Sequence, residues 1–236
     1  MTEPRDLAAV REAILARVAA AAARSGRDPA AVRIVAVTKT VQSDVILAAS
    51  AAGFDAFGEN RVQERQAKRD ETARALATWH LIGPLQSNKA RRAVELFDVI
   101  QTVDTLDLAE RLSRIAGELR PGEPYPVLLQ ANVDEDTAKA GFDPAALERD
   151  LPAILELPGL RVEGLMTVGR LVATPELARP TFVALRNLSE GLRARHPGLG
   201  SELSMGMSED YPVAVEEGAT LVRIGRAIFG ARQTVV

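Results

Sequence analysis

The chain has 236 residues, 47% of them hydrophobic and 26% charged, with a formal net charge of -3 and no cysteine. That length fills one large core or two small ones. The missing thiols exclude disulfides, cysteine nucleophiles and thiolate metal sites, two well-separated histidines, His80 and His196, argue against a histidine metal cluster, and the mild acidity gives no reason to expect nucleic acid as a partner.

In chain order, the start "MTEPRDLAAVREAILARV" is charged and lacks the apolar core of a secretory signal. No run of about 18 apolar residues predicts a membrane span, so a cytoplasmic protein is expected. Leu7, Val10, Ile14, Leu15 and Val18 recur at helical spacing and predict a helix over residues 4–23, ended by "SGRDP". Residues 1–28 are therefore expected to form an N-terminal helical extension. A rhythm follows. Eight apolar runs, "RIVAVTK", "FDAFGEN", "WHLIG", "DVIQTV", "PVLLQANV", "RVEGLMTV", "SELSM" and "TLVRIG", alternate with amphipathic stretches such as 43–52, 105–119 and 175–195. Alternating strands and helices imply right-handed crossovers and a parallel sheet. Eight units in this length predict an α/β fold, a single (β/α)8 TIM-type barrel over residues 1–236 with no second domain. An open doubly wound sheet is the alternative, weakened for dinucleotide binding because no G-x-G-x-x-G follows the first strand.

Functional groups of such a barrel gather where strands end. Those ends carry Thr38-Lys39-Thr40, Gly58-Glu59-Asn60, His80 followed by "GPLQSNK", Asn132 with "DEDTAKAGF", Met166-Thr167, "LSMGMS" and Arg223-Ile224-Gly225-Arg226. The loops after strands seven and eight often bind phosphate. Here they hold Gly206 and Gly225, which let backbone N–H groups approach an anion, the hydroxyls of Ser204 and Ser208, and the charge of Arg226. Helix capping competes for part of this stretch: Ser208 before Glu209 and Asp210 reads as an N-cap, and Gly218 as the stop.

Lys39 has the strand phase of Val35 and Val37. It is either a solvated lysine at a strand end or an amine at the barrel mouth, depressed in pKa by burial and a nearby cation and able to attack an aldehyde. With an anion cradle on the other side of the mouth, the second reading suits a small phosphorylated aldehyde, pyridoxal phosphate above all. Arg223, in phase with Leu221 and Gly225, needs a partner if buried. That partner is a core carboxylate or the cofactor's pyridine nitrogen, where a cation disfavours protonation of the ring. His80 is either a satisfied core or rim histidine or a group near the cofactor.

The segments "VAVTKT", "FGENRVQE", "WHLIGPLQSNK", "GLMTVG" and "LSMGMSEDYPVAVEEGATLVRIGRAIFG" together resemble the pyridoxal phosphate homeostasis proteins, single-domain relatives of the alanine racemase barrel. The resemblance covers residues 33–232. It implies that Lys39 forms the Schiff base, that Asn60 lies near the cofactor, that Ser204 is a phosphate ligand, that Arg223 faces the pyridine nitrogen, and that Gly225 and Arg226 bind phosphate through their amides. Arg226 stands where many relatives have threonine, which keeps the amide and loses the hydroxyl. Tyr211 and Pro212 replace the more usual acidic or small residues. Lys139 matches a lysine-bearing loop and is either a transient acceptor of the cofactor or a solvated loop lysine.

Three readings follow. In the first, a monomeric carrier without robust catalysis holds pyridoxal 5'-phosphate on Lys39, buffers it and passes it to apoenzymes. In the second, the chain is an amino-acid racemase of low activity. Two-base racemisation needs a base on each face of the cofactor, and neither Tyr125 nor Tyr211 matches a known catalytic position. In the third, a sugar-phosphate enzyme uses Lys39 as an aldolase-type amine.

Overall fold

The protein is described by a computed structural model over residues 6–134, 136, 139–169 and 172–230. The first residues of the expected N-terminal helix, parts of "DEDTAKAGF" and the segment after Gly230 lie outside the described residues. Eight parallel strands close into a barrel in sequence order: β1 (Arg33–Val37), β2 (Ala56–Glu59), β3 (Thr78–Leu81), β4 (Val99–Val103), β5 (Tyr125–Gln130), β6 (Leu160–Met166), β7 (Glu202–Ser204) and β8 (Leu221–Ile224). The expected barrel is present and the open sheet is not. The strands are shorter than the apolar runs suggest, because chain beyond the last ladder bond turns into the loops of the C-terminal mouth.

Helices α1 (Leu7–Arg24), α2 (Ser43–Ala51), α3 (Val62–Lys68), α4 (Ala90–Leu96), α5 (Leu106–Leu119), α6 (Pro144–Leu155), α7 (Arg179–Arg195), α8 (Tyr211–Glu216) and α9 (Arg226–Phe229) surround it. None among the described residues is long and apolar enough to cross a membrane. α5 shows why they form. Thr105 accepts from the Leu108 amide at its start, and Leu108, Leu112, Ile115 and Ala116 bury one stripe. α1 begins at Asp6, which caps the Ala8 and Ala9 amides, and lies against α8 and α9. Arg27 locks this extension down by donating to the Val215, Gly218 and Ala219 carbonyls at the C-terminal end of α8.

Two apolar regions result. The large one fills the ring between strands and helices, with Ile34, Ala36, Phe57, Leu81 and Ile100 from the strands. The small one lies inside the barrel and joins Val35, Ala56, Leu128, Met166 and Leu221. Alternation along each strand divides them, and Lys39 and Asn60 come just after the ends of β1 and β2.

Candidate functional site

Lys39 lies just past the end of β1, half-buried. The chain turns there, closed by the Val41 N–H on the Thr38 carbonyl at 2.9 Å, and Thr40 takes φ 65°. Positive φ strains a β-branched residue, so neighbouring contacts must hold the turn. Those contacts lie on the helix side. The Thr38 hydroxyl donates to Glu59 Oε1 at 2.8 Å, while Lys68 Nζ from α3 reaches the same oxygen at 2.8 Å and the Thr38 carbonyl at 2.9 Å. Glu59 is wholly buried. Burial pushes its carboxyl up, and the Lys68 hydrogen bond and charge pull it back. This group clamps the ends of β1 and β2 together immediately beneath Lys39.

Inside the barrel a polar string crosses the core. The Arg223 guanidinium donates to Ser204 Oγ at 2.7 Å and to the Thr167 carbonyl at 2.7 Å. Ser204 Oγ donates to Gln101 Oε1 at 2.6 Å, and Gln101 Nε2 lies 2.9 Å from His80 Nδ1. All four side chains are buried. Burial lowers the Arg223 pKa to about 10, opposed by the charge of Asp210, and that of His80 to about 4, with repulsion from Arg33 adding to it. Among the described residues no carboxylate makes an ion pair with Arg223, so the core-carboxylate alternative is not met and its protein partners are a hydroxyl and a carbonyl.

At the rim, the Gly225 and Ala227 amides converge on Ser208 Oγ at 3.2 and 3.3 Å. Ser208 therefore does not cap its own helix. α8 starts later, at Tyr211, and Asp210 instead accepts from the Met207 amide. Gly206, at φ 87°, is required by packing, since a Cβ there would stand 2.5 Å from that of Ala214. At Gly225 a Cβ would come within 3.3 Å of Val37. The Arg226 side chain reaches Glu209 at 3.4 Å and is 65% exposed, so its charge lies on the outer side of the rim.

Ring closure changes one expectation. β1 and β8 are hydrogen-bonded neighbours, with Val35 opposite Arg223 and Ala36 opposite Ile224. Lys39 and the Gly225 loop thus follow adjacent strands and do not lie across the mouth from one another, while Arg223 lies deeper, opposite Val35. Asn60 follows β2 on the other flank of Lys39, half-buried, with its carbonyl packed against Gly83. The two serines of this region have different partners. The Ser204 hydroxyl is committed inside the barrel to Gln101 and Arg223, and the hydroxyl at the Gly225 loop belongs to Ser208. His80 lies below the rim and borders a cavity of about 460 Å³ with Arg33, Ala56, Thr78 and Leu221, at the opposite, N-terminal end of the strands. It is buried and its Nδ1 is paired with Gln101. Lys139 is held by Asp134 at 3.0 Å and by the Val168 carbonyl at 3.1 Å.

Sequence reasoning missed Gln101, Glu59 and Lys68 as a supporting set. A signal existed for two of them: Gln101 interrupts the apolar run "DVIQTV", and Glu59 ends a strand that is otherwise apolar. Lys68 on a charged helix carried none.

The geometry defines a class first. The protein is a parallel eight-stranded barrel with a lysine after β1 and a buried arginine in the neighbouring β8, and the family described as "Alanine racemase, N-terminal domain" matches residues 10–233. Pyridoxal phosphate homeostasis proteins of Pseudomonas aeruginosa and Escherichia coli K12 are 43% and 42% identical to the chain, covering 93% and 96% of it and 93% and 95% of their own lengths. The structure of PipY from Synechococcus elongatus, solved with PLP bound, superposes with a TM-score of 0.81 at 45% identity, over 92% of this chain and all of that one. An alanine racemase of Clostridium difficile, at 15% identity and a TM-score of 0.68, shares the fold. The chain belongs to the pyridoxal phosphate homeostasis protein family.

Proposed function

We propose that this protein holds pyridoxal 5'-phosphate at the C-terminal mouth, with Lys39 as the amine that takes the aldehyde as a Schiff base, and that it buffers the cofactor and delivers it to apoenzymes as a cytoplasmic monomer. The observation that carries this reading is the buried Arg223 cation, without an ion-pair partner among the described residues, on the strand next to Lys39. A buried guanidinium left with two neutral acceptors is poorly compensated, and an acceptor nitrogen on a bound ring fits it. The rest of the donor set suits the same molecule. The Gly225 and Ala227 amides already converge on one oxygen, that of Ser208, as phosphate oxygens require. Ser208, not Ser204, is the hydroxyl we assign to the phosphate, and Arg226 contributes its amide while its side chain turns to Glu209. Asn60 flanks the amine. When bound, the cofactor supplies a reactive aldehyde and an electron-accepting ring. The chain's own residues orient the amine, hold the phosphate and set a cation at the ring nitrogen.

The test is a spectroscopic titration of the wild type and of Lys39→Ala with pyridoxal phosphate. A violet-edge absorption band in the wild type, absent in a folded Lys39→Ala protein, supports the reading. A wild type that develops no band overturns it. Transfer to an apoenzyme that is lost with Lys39→Ala supports delivery. Turnover of alanine or another amino acid at about one per second or more would sink the carrier reading in favour of racemisation.

A further inference from the structure

Arg223, Ser204, Gln101 and His80 form a chain in which every assignable donor points the same way. Arg223 carries only donors, so Ser204 Oγ accepts from it at 2.7 Å. The serine hydrogen is then directed to Gln101 Oε1 at 2.6 Å. That contact fixes the Gln101 amide, because its oxygen is taken by the serine and its NH2 must face His80 Nδ1 at 2.9 Å. Nδ1 must therefore accept, which requires a neutral imidazole carrying its proton on Nε2. The donor-only guanidinium thus sets the polarity of three groups, ending at the His80 ring. Each dipole presents its oxygen toward the cation, which holds the cation in place inside an apolar barrel.

We infer that Gln101 is a positioning residue for the ligand site: through Ser204 it fixes the direction in which Arg223 presents its remaining N–H groups to the mouth, with the His80 Nε2–H tautomer as the terminal acceptor that orients it. This rests on the pyridoxal phosphate reading for its ligand, but its first consequence does not. Gln101 bonds to Ser204 and His80, so its route to the site runs through Ser204 to Arg223.

Two measurements test it. In the ligand-free protein, with imidazole nitrogens labelled, only His80 and His196 contribute to the spectrum. The His80 ring is expected as the neutral Nε2–H tautomer at pH 7. An Nδ1–H tautomer or a charged ring there overturns the inference regardless of any cofactor. The second measurement titrates pyridoxal phosphate into the wild type, Gln101→Met and His80→Asn. Gln101→Met keeps the volume and removes the polar link. It is expected to weaken binding about tenfold, as for loss of a buried hydrogen bond to a group bearing on a charge, and to move the absorption band or its pH midpoint. His80→Asn keeps an acceptor near the Nδ1 position and is expected to stay within about twofold of wild type. Wild-type affinity, band and midpoint in a folded Gln101→Met protein overturn the positioning role while leaving the functional reading intact. A wild type that binds nothing overturns the functional reading, while the tautomer still decides the direction of the chain.

Discussion

His80 makes acid sensitivity measurable at a single group. Its ring is 3% exposed, its Nδ1 is occupied by Gln101, and burial lowers its pKa from 6.5 to about 4. A lowered folded-state pKa means that the unfolded chain binds the proton first. The contribution of this histidine to stability is therefore complete above about pH 6.5 and is lost as pH falls toward about 4. The gap of about 2.5 pH units, at about 1.4 kcal/mol each, caps the loss at about 3 kcal/mol. Between pH 7 and pH 5 the expected loss is about 2 kcal/mol. The assay is urea unfolding of the wild type and of His80→Asn at both pH values. Carboxylates titrate in both proteins and cancel in the difference, so the wild type should lose about 2 kcal/mol more than the variant. Parallel pH dependence in the two proteins would refute the argument, because it would mean that His80 takes up its proton equally in both states.

Three further outcomes are expected. Lys68→Met leaves the buried Glu59 carboxylate without its cation and should destabilise by about 3 kcal/mol at pH 7. Melts at lower pH should show a smaller deficit, since Glu59 then takes a proton, and adding Glu59→Gln should recover most of it. Thr40→Gly relieves a β-branched residue at φ 65° and should raise stability by about 0.5–1 kcal/mol in denaturant titrations, the strain relieved exceeding the entropy added to the unfolded chain. Gly206→Ala forces a Cβ to 2.5 Å from Ala214 at φ 87°. It should cost about 2–3 kcal/mol by thermal unfolding and loosen the loop that carries Ser208.

The architecture was legible because its determinants are local. Runs such as "RIVAV" and "PVLLQ" are apolar on both faces because both faces of a parallel barrel strand are covered, and the stripe of α5 follows a 3.6-residue period. The inward phase of Arg223 could likewise be read from two-residue alternation. Two residues lie otherwise than their sequence neighbours suggest. Ser208 looks like an N-cap because capping is a short-range pattern, yet its oxygen is claimed by amides 17 and 19 residues away. His80 sits at a strand end in sequence, but its stretch of β3 lies level with the lower interior, beside Ala56 and Leu221.

From sequence alone came the barrel, the lysine after its first strand, the arginine within its last and the glycines of the final loops, all of them consequences of periodicity and of residue chemistry along a few neighbouring positions. Tertiary structure alone decided the register in which β8 pairs with β1, which sets Arg223 opposite Val35 and the Gly225 loop beside the end of β1. It alone linked Gln101 to a serine 103 residues later and placed Lys68 beneath the turn that carries Lys39. The reason is physical: hydrogen bonds in a buried interior are chosen by which polar atoms the closed sheet brings within about 3 Å, and ring closure couples positions whose separation along the chain carries no signal.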